Sequence, residues 1–111
     1  MKTTVIIQFE IEGFHKWSAA PKEVKFLSYR HRHVFRIKAG FQVNHADREK
    51  EIFIQRDILR SYLENKYGNP CEFNDMSCEM IGLDLMNKFL LDEIKFVEVW
   101  EEETGGAKIE L

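Results

Sequence analysis

Three histidines, His15, His31 and His33, are the residues of this sequence whose type and spacing best fit a chemical site. His31 and His33 are separated by one residue in a segment that alternates apolar and polar residues. Successive side chains of a strand point to opposite faces of a sheet, so these two imidazoles share a face. His15 ends another alternating segment and can supply a third imidazole from a neighbouring strand. Because three protein ligands leave one zinc position open for water or substrate, this set predicts a zinc site of the catalytic kind.

The fourth histidine, His45, is expected to stay outside this site. Like the other three histidines, it is at an odd-numbered position, but it lies 12 residues after His33. At about 3.3 Å per residue, this separation is roughly 40 Å along a strand. We therefore expect His45 to be a turn residue, with a contact across a subunit interface as the alternative.

The spacing of apolar residues predicts the strands and helices that position these histidines. Alternation of apolar and polar residues predicts strands at both ends of the chain, and apolar residues at helical spacing predict two helices between them. Ser77 is a suitable N-cap for the second helix. The predicted elements, in chain order, are a strand at 3–15, a loop at 16–30, a strand at 31–45, a turn at 44–48, a short return strand at 49–54, a helix over 56–67 ended by Gly68, a connection at 69–76, a helix from Ser77 to about Leu91, a strand at 94–102, a hairpin at Gly105-Gly106 and a strand at 107–111.

This order predicts one α+β domain over residues 1–111. The expected subunit is ββααββ, an antiparallel four-stranded sheet with two helices packed on one face. Long strands at the edges of such a sheet need partners, and closing several copies into a β-barrel removes the edges. The sequence therefore predicts a homo-oligomer.

Composition excludes several classes of function. The chain has 111 residues, 44% of them hydrophobic, and a net charge of −3. Without a basic cluster, nucleic-acid binding is not expected, and no apolar stretch approaches the length needed to span a membrane. Charged residues occur too early for a signal peptide. Two cysteines, Cys71 and Cys78, are too few for a disulfide scaffold, so a reducing, cytoplasmic setting is expected.

Glu101 is the second candidate for chemistry. Like Val97 and Val99, it occupies an odd-numbered position of the predicted strand, so the three side chains lie on the same face. A carboxylate on a buried face needs a hydrogen-bonding partner, and a planar N–C–N donor edge matches its two oxygens. The alternative is a solvated strand end, since Glu101 begins a run of three glutamates.

The element order and the histidines together resemble the 6-pyruvoyl-tetrahydropterin synthase family, which includes the 6-carboxy-tetrahydropterin synthases of queuosine biosynthesis. The family has a first-strand histidine, an H-G-H opening the second strand, a helical Thr-x-Glu and a late strand that ends in glutamate. The corresponding residues of this sequence are His15, His31-Arg32-His33, Ser77-Cys78-Glu79 and Glu101.

The resemblance implies a tunnelling fold (T-fold), whose subunits join into a barrel such as a hexamer or tetramer. It implies Zn²⁺ bound by the three histidines and a pterin contacted by Ser77, Glu79 and Glu101. The implied activity is that of a carbon–oxygen lyase acting on dihydroneopterin triphosphate or a related pterin.

The sequence departs from the family at the groups that move protons. Leu27 stands where the family has a cysteine, and residues 69–76 contain no histidine for the usual Asp-His pair. A base would have to be Cys78, Asp75, Glu79 or water activated by the metal. The expected function is a zinc-dependent pterin-processing enzyme. The alternatives are a non-catalytic zinc oligomer that binds a pterin, a purine-like ligand or a protein partner, and a structural oligomer without metal.

Overall fold

Two long antiparallel strands form the centre of the computed structural model, which describes all residues 1–111. Strand β1 (Thr3–His15) pairs with β2 (His31–Val43) over the full length of both, from Thr3 opposite Val43 to His15 opposite His31. The odd-numbered side chains of both strands point into the core, as the alternation predicts. The loop between the strands contains 3₁₀ turns within Lys22–Ser28.

The remaining elements extend this pair into a five-stranded sheet. The strand order is β3-β1-β2-β4-β5, in which β3 is parallel to β1 and the other pairs are antiparallel. The predicted α+β class is confirmed, but the predicted four-stranded, purely antiparallel sheet is wrong. The later elements are α1 (Ile52–Tyr67), β3 (Cys71–Asn74), α2 (Cys78–Lys88), β4 (Ile94–Glu101) and β5 (Gly105–Glu110).

Both helices cover the same face of the sheet. Helix α1 lies over β1 and β3, and α2 lies over β4 and β5. Their buried residues join the odd-numbered strand residues in one core. The opposite face has no covering layer, so the side chains of Ile6 and Trp100 there are 53% and 39% exposed. No helix has the length and apolar character required to cross a membrane.

Several predicted boundaries change for identifiable reasons. Residues 49–54 are not a strand, because α1 begins at Ile52 and the Glu51 side chain accepts a hydrogen bond from the Ile54 N–H at 3.0 Å. Residues 71–74 of the predicted connection form β3. Helix α2 ends at Lys88, before a short 3₁₀ turn at Leu90–Asp92.

The last hairpin turns earlier than predicted. Its turn is at 102–104, where Glu102 has a φ of 56°. Gly105 and Gly106 are instead the first residues of β5, opposite Glu101 and Trp100.

Candidate metal centre and adjoining cleft

The strand register brings the three predicted histidines together. His15 and His31 are directly opposite each other at the end of the β1–β2 ladder, and His33 follows two residues along the same face. One ring nitrogen from each histidine lies within 4.8 Å of the others. His45 lies in the loop after β2, where its Nδ1 accepts a hydrogen bond from the Asp47 N–H at 3.2 Å.

Backbone carbonyls fix which nitrogens of His15 and His31 are available as ligands. His15 Nδ1 is 2.9 Å from the Met76 carbonyl oxygen, and His31 Nδ1 is 2.8 Å from the Tyr29 carbonyl oxygen. Because a carbonyl oxygen only accepts, each Nδ1 carries the proton and donates it. The lone pair of the neutral ring is then on Nε2, as in metal-binding histidines held by an outer hydrogen bond.

The three Nε2 atoms are buried and make no hydrogen bond of good geometry, although Glu101 oxygens lie 3.2 Å from His15 Nε2 and 3.6 Å from His33 Nε2. Buried polar atoms in folded proteins nearly always have a partner, so three adjacent exceptions call for an explanation. A metal ion bound by all three lone pairs accounts for them together. Three imidazoles are an established donor set for zinc and leave one coordination position for another ligand. The residues present therefore fit the predicted zinc.

Glu101, the last residue of β4, lies beside the same cluster. Its Oε1 is 3.2 Å from His15 Nε2 and its Oε2 is 3.6 Å from His33 Nε2. The contact with His15 lowers the pKa of Glu101 against the opposing effect of burial. Burial alone would lower the pKa of His15, but the Glu101 carboxylate and the Met76 carbonyl outweigh it and raise that pKa. The Glu101 side chain is 28% exposed, so an ionised carboxylate remains accessible here.

An open cleft of about 560 Å³ adjoins the cluster. His15, His31 and Glu101 line one side of it, and the first turn of α2 lines another. Leu27, which stands where the resembling family has a cysteine, also lines the cleft. An aliphatic side chain at that position cannot transfer a proton.

The two predicted catalytic residues have other partners. The Cys78 thiol donates to Glu101 Oε1 at 3.6 Å. Burial and the Glu101 charge raise the pKa of Cys78 to about 12, which disfavours the reactive thiolate. Asp75 accepts hydrogen bonds from the Ser18 N–H at 2.7 Å and the Ser18 hydroxyl at 3.1 Å. These bonds lower the pKa of Asp75 and make it a weak base.

The predicted pterin contacts on α2 are near the cleft, but one of them has a structural role. Ser77 accepts the Met80 N–H at 3.1 Å and thereby caps the helix. Glu79 is exposed in the first helical turn and lines the cleft.

Sequence reasoning missed several groups at this site. Lys16 and Trp17 line the cleft immediately after His15, and Gly105 lines it from β5. The adjacency to His15 was an available signal for the first two. The carbonyl groups of Met76 and Tyr29 could not be recognised from the sequence, because every residue has a backbone carbonyl.

The chain matches no protein-family model and no curated protein sequence.

Proposed function

We propose that this protein is a zinc protein of the tunnelling-fold type that binds a pterin- or guanine-like ligand in the cleft beside its three histidines. The observation that carries the proposal is the convergence of three buried imidazole nitrogens, all within 4.8 Å of one another, next to an accessible carboxylate. Zinc at the three Nε2 atoms would supply Lewis-acid polarisation of a ligand oxygen.

The chain's own residues position both parts of this site. The Met76 and Tyr29 carbonyls hold two imidazoles with Nε2 facing the cluster. Glu101 offers two oxygens to the amino-pyrimidine edge of a ligand, and charge-assisted bidentate bonding to such an edge is strong and orientation-specific. Cys78, protonated at neutral pH, donates to one of these oxygens and helps to orient the carboxylate.

The second candidate function is the lyase reaction of the resembling family on dihydroneopterin triphosphate. It is favoured by a cleft that reaches both Glu101 and the histidine cluster. Proton transfer is the difficulty, because Leu27 cannot perform it and the pKa values of Cys78 and Asp75 are shifted away from neutral in opposite directions. Ligand binding without turnover is therefore the function that the geometry supports best.

The proposal includes self-assembly into a closed ring in the cytoplasm. Strands β3 and β5 end the sheet, and their outer edges are available to other copies. Both cysteines are free thiols, which suits a reducing compartment.

Metal analysis followed by ligand titration tests the proposal. Protein purified without chelator is assayed for zinc by mass spectrometry, then titrated with pterin and with guanine by calorimetry. We expect one zinc per chain and saturable binding of at least one heterocycle. A zinc-free protein, or zinc protein that binds neither heterocycle, would contradict it.

Turnover is tested separately. The zinc protein is incubated with dihydroneopterin triphosphate, and the mixture is analysed by mass spectrometry. We expect bound, unchanged substrate. Release of triphosphate together with a pterin product other than dihydroneopterin, the product of simple ester hydrolysis, would instead establish the lyase.

A further inference from the structure

We propose that Gly105 determines the size of the ligand that reaches Glu101, because the absence of a side chain there opens the cleft to a two-ring heterocycle. This inference rests on the proposed function and names a specificity-determining residue of the same site.

The register of the last hairpin places Gly105 next to the carboxylate. Gly105 is directly opposite Glu101 in the β4–β5 pair. Residues directly opposite in an antiparallel pair project their side chains on the same face, only about 5 Å apart at Cβ. Since the Glu101 side chain turns towards the histidines and the cleft, a side chain at Gly105 would extend alongside it.

Protein packing does not explain a glycine at this position. A Cβ built on Gly105 meets no protein atom within 4 Å. By contrast, a Cβ on the next residue, Gly106, would lie 2.5 Å from the Val99 carbonyl oxygen and 2.8 Å from the Trp100 ring. Gly106 is therefore required by the fold, whereas the space above Gly105 is unused by it.

Backbone conformation does not explain it either. The glycine with positive φ in this chain is Gly68, after α1. Gly105 has strand conformation and pairs in regular register, so other residues can adopt its backbone. The remaining consequence of its missing side chain is the open volume beside Glu101, where Gly105 lines the cleft.

The open space above Gly105 leaves room for a ligand that extends beyond the carboxylate of Glu101. A single ring whose N–C–N edge is bound to Glu101 would lie beside the carboxylate, and a second ring fused to it would extend over the bare backbone at Gly105, with the first turn of α2 as another wall of the cleft. A second fused ring needs this space, whereas a single amino-pyrimidine ring bound by the same edge needs less of it. Residue 105 therefore discriminates between one-ring and two-ring ligands.

The test compares two probes with the same N–C–N edge, pterin and 2-aminopyrimidine, on the zinc protein. The variants are Gly105→Ala and Gly105→Val, and the control is Lys108→Val, whose side chain lies on the other face of β5. We expect pterin affinity to fall about 10-fold with alanine and about 100-fold with valine, as for steric discrimination in a shaped pocket. The control, zinc content and melting temperature should stay unchanged, and 2-aminopyrimidine should lose less than about threefold.

The outcomes separate the two proposals. Equal pterin affinity for the wild type and Gly105→Val would overturn the role of Gly105 and leave the proposed function intact. A wild type that binds neither probe would overturn both. If valine disturbs folding, as a melting curve would show, the alanine variant decides, and unchanged pterin affinity in that variant rejects the role.

Discussion

His15 and His31 are each fixed by a hydrogen bond from Nδ1 to a carbonyl oxygen, while His33 depends on side-chain neighbours. Its Nδ1 lies 3.6 Å from Glu102 Oε1 in the following hairpin turn. Two ligands of the candidate metal centre are therefore held by hydrogen bonds to the backbone, whereas the nearest carboxylate oxygens to the His33 ring lie 3.6 Å away. His33 is for this reason the informative histidine to remove.

We expect His33→Ala to lose the metal and His45→Ala to retain it. Removing His33 leaves two imidazoles, which is fewer than the three ligands of known catalytic zinc sites. His45 lies in the loop after β2 and provides a matched histidine control. Metal content by inductively coupled plasma mass spectrometry measures both, and full zinc occupancy in His33→Ala would contradict the site.

Glu101→Gln should weaken pterin binding by about 1.5–3 kcal/mol, the usual contribution of a hydrogen bond to a charged group. The substitution keeps size but exchanges one acceptor oxygen for a donor. Zinc content should not change, because the three imidazoles remain. Calorimetry on zinc-loaded wild type and variant measures the difference, and equal affinities would remove Glu101 as the ligand anchor.

The sequence identified these residues because imidazoles and carboxylates on one strand face are a recognisable pattern. It named Cys78 only as one of several candidate bases and did not identify the contact that decides the state of this thiol. The thiol is buried against a carboxylate, and both effects raise its pKa. Such a contact depends on the register between α2 and β4, which a single sequence does not encode locally.

At the scale of elements, Asp84 connects the two helices. It accepts hydrogen bonds from the Tyr62 and Tyr67 hydroxyls, and Lys66 Nζ lies 3.1 Å from its Oδ2. Asp84 belongs to α2 and its three partners belong to α1. This polar cluster complements the apolar contact between Tyr62 and Phe89, whose ring centroids are 5.7 Å apart.

We expect Asp84→Asn to reduce the free energy of unfolding by about 1.5–3 kcal/mol, because its charge-assisted hydrogen bonds weaken. Asp57→Asn on α1 is the control, since that carboxylate is 66% exposed and its nearest arginine nitrogen is 3.7 Å away. Urea titration measures both variants. Equal midpoints for the two would show that the cluster does not stabilise the helix pair.

The lowered pKa of Asp84 leads us to expect that the protein loses stability in acid. Burial alone would raise the pKa of Asp84, but hydrogen bonds from the two tyrosines and Lys66 outweigh it and lower that pKa. The unfolded chain therefore takes up the proton at higher pH than the folded chain. The stabilisation is complete above the ordinary carboxyl pKa of about 3.9 and disappears as the pH falls through the lower folded value. Asp84→Asn should flatten this part of the stability–pH curve, as urea titrations between pH 2 and pH 6, on the order of one per pH unit, would show.

Element boundaries could be predicted where the alternating segment is long, and the predictions were wrong where it is short. In β1, more buried and less buried side chains alternate from Val5 to His15. Strand β3 has four residues, of which two are buried, and pairs with residues of β1 that lie 58 or 59 positions earlier in the chain, so local patterning does not reveal it. Ile52, Phe53 and Ile54 suggest a strand by propensity, but they form the exposed first turn of α1 under the Glu51 cap.

At the scale of the whole molecule, the chain is elongated. Its principal dimensions are 50 × 26 × 23 Å and its radius of gyration is 14.9 Å. A typical domain of this length has a radius of about 13 Å. The long β1–β2 pair and the uncovered sheet face account for this shape, which suits a subunit that continues its sheet into neighbouring copies.

We expect the protein to be a closed homo-oligomer in solution. Light scattering at micromolar concentration measures its mass, and native mass spectrometry counts the subunits and bound metal. A whole-number ring such as a tetramer or hexamer is expected, because closure removes the free edges of β3 and β5. A monomer under these conditions would contradict the barrel.

The position of the histidine pair at the last step of the β1–β2 ladder also bears on how the chain folds. A one-residue slip between two strands would move every side chain of one of them to the wrong face. His15 and His31 flank the 15-residue loop that joins the strands, and an ion bound by both would favour the register in which they lie opposite each other over one that is shifted by a single residue. Zinc bound at the proposed site would therefore close this loop and favour that alignment of the whole ladder. Refolding with zinc should therefore give a higher yield of native protein than refolding with chelator.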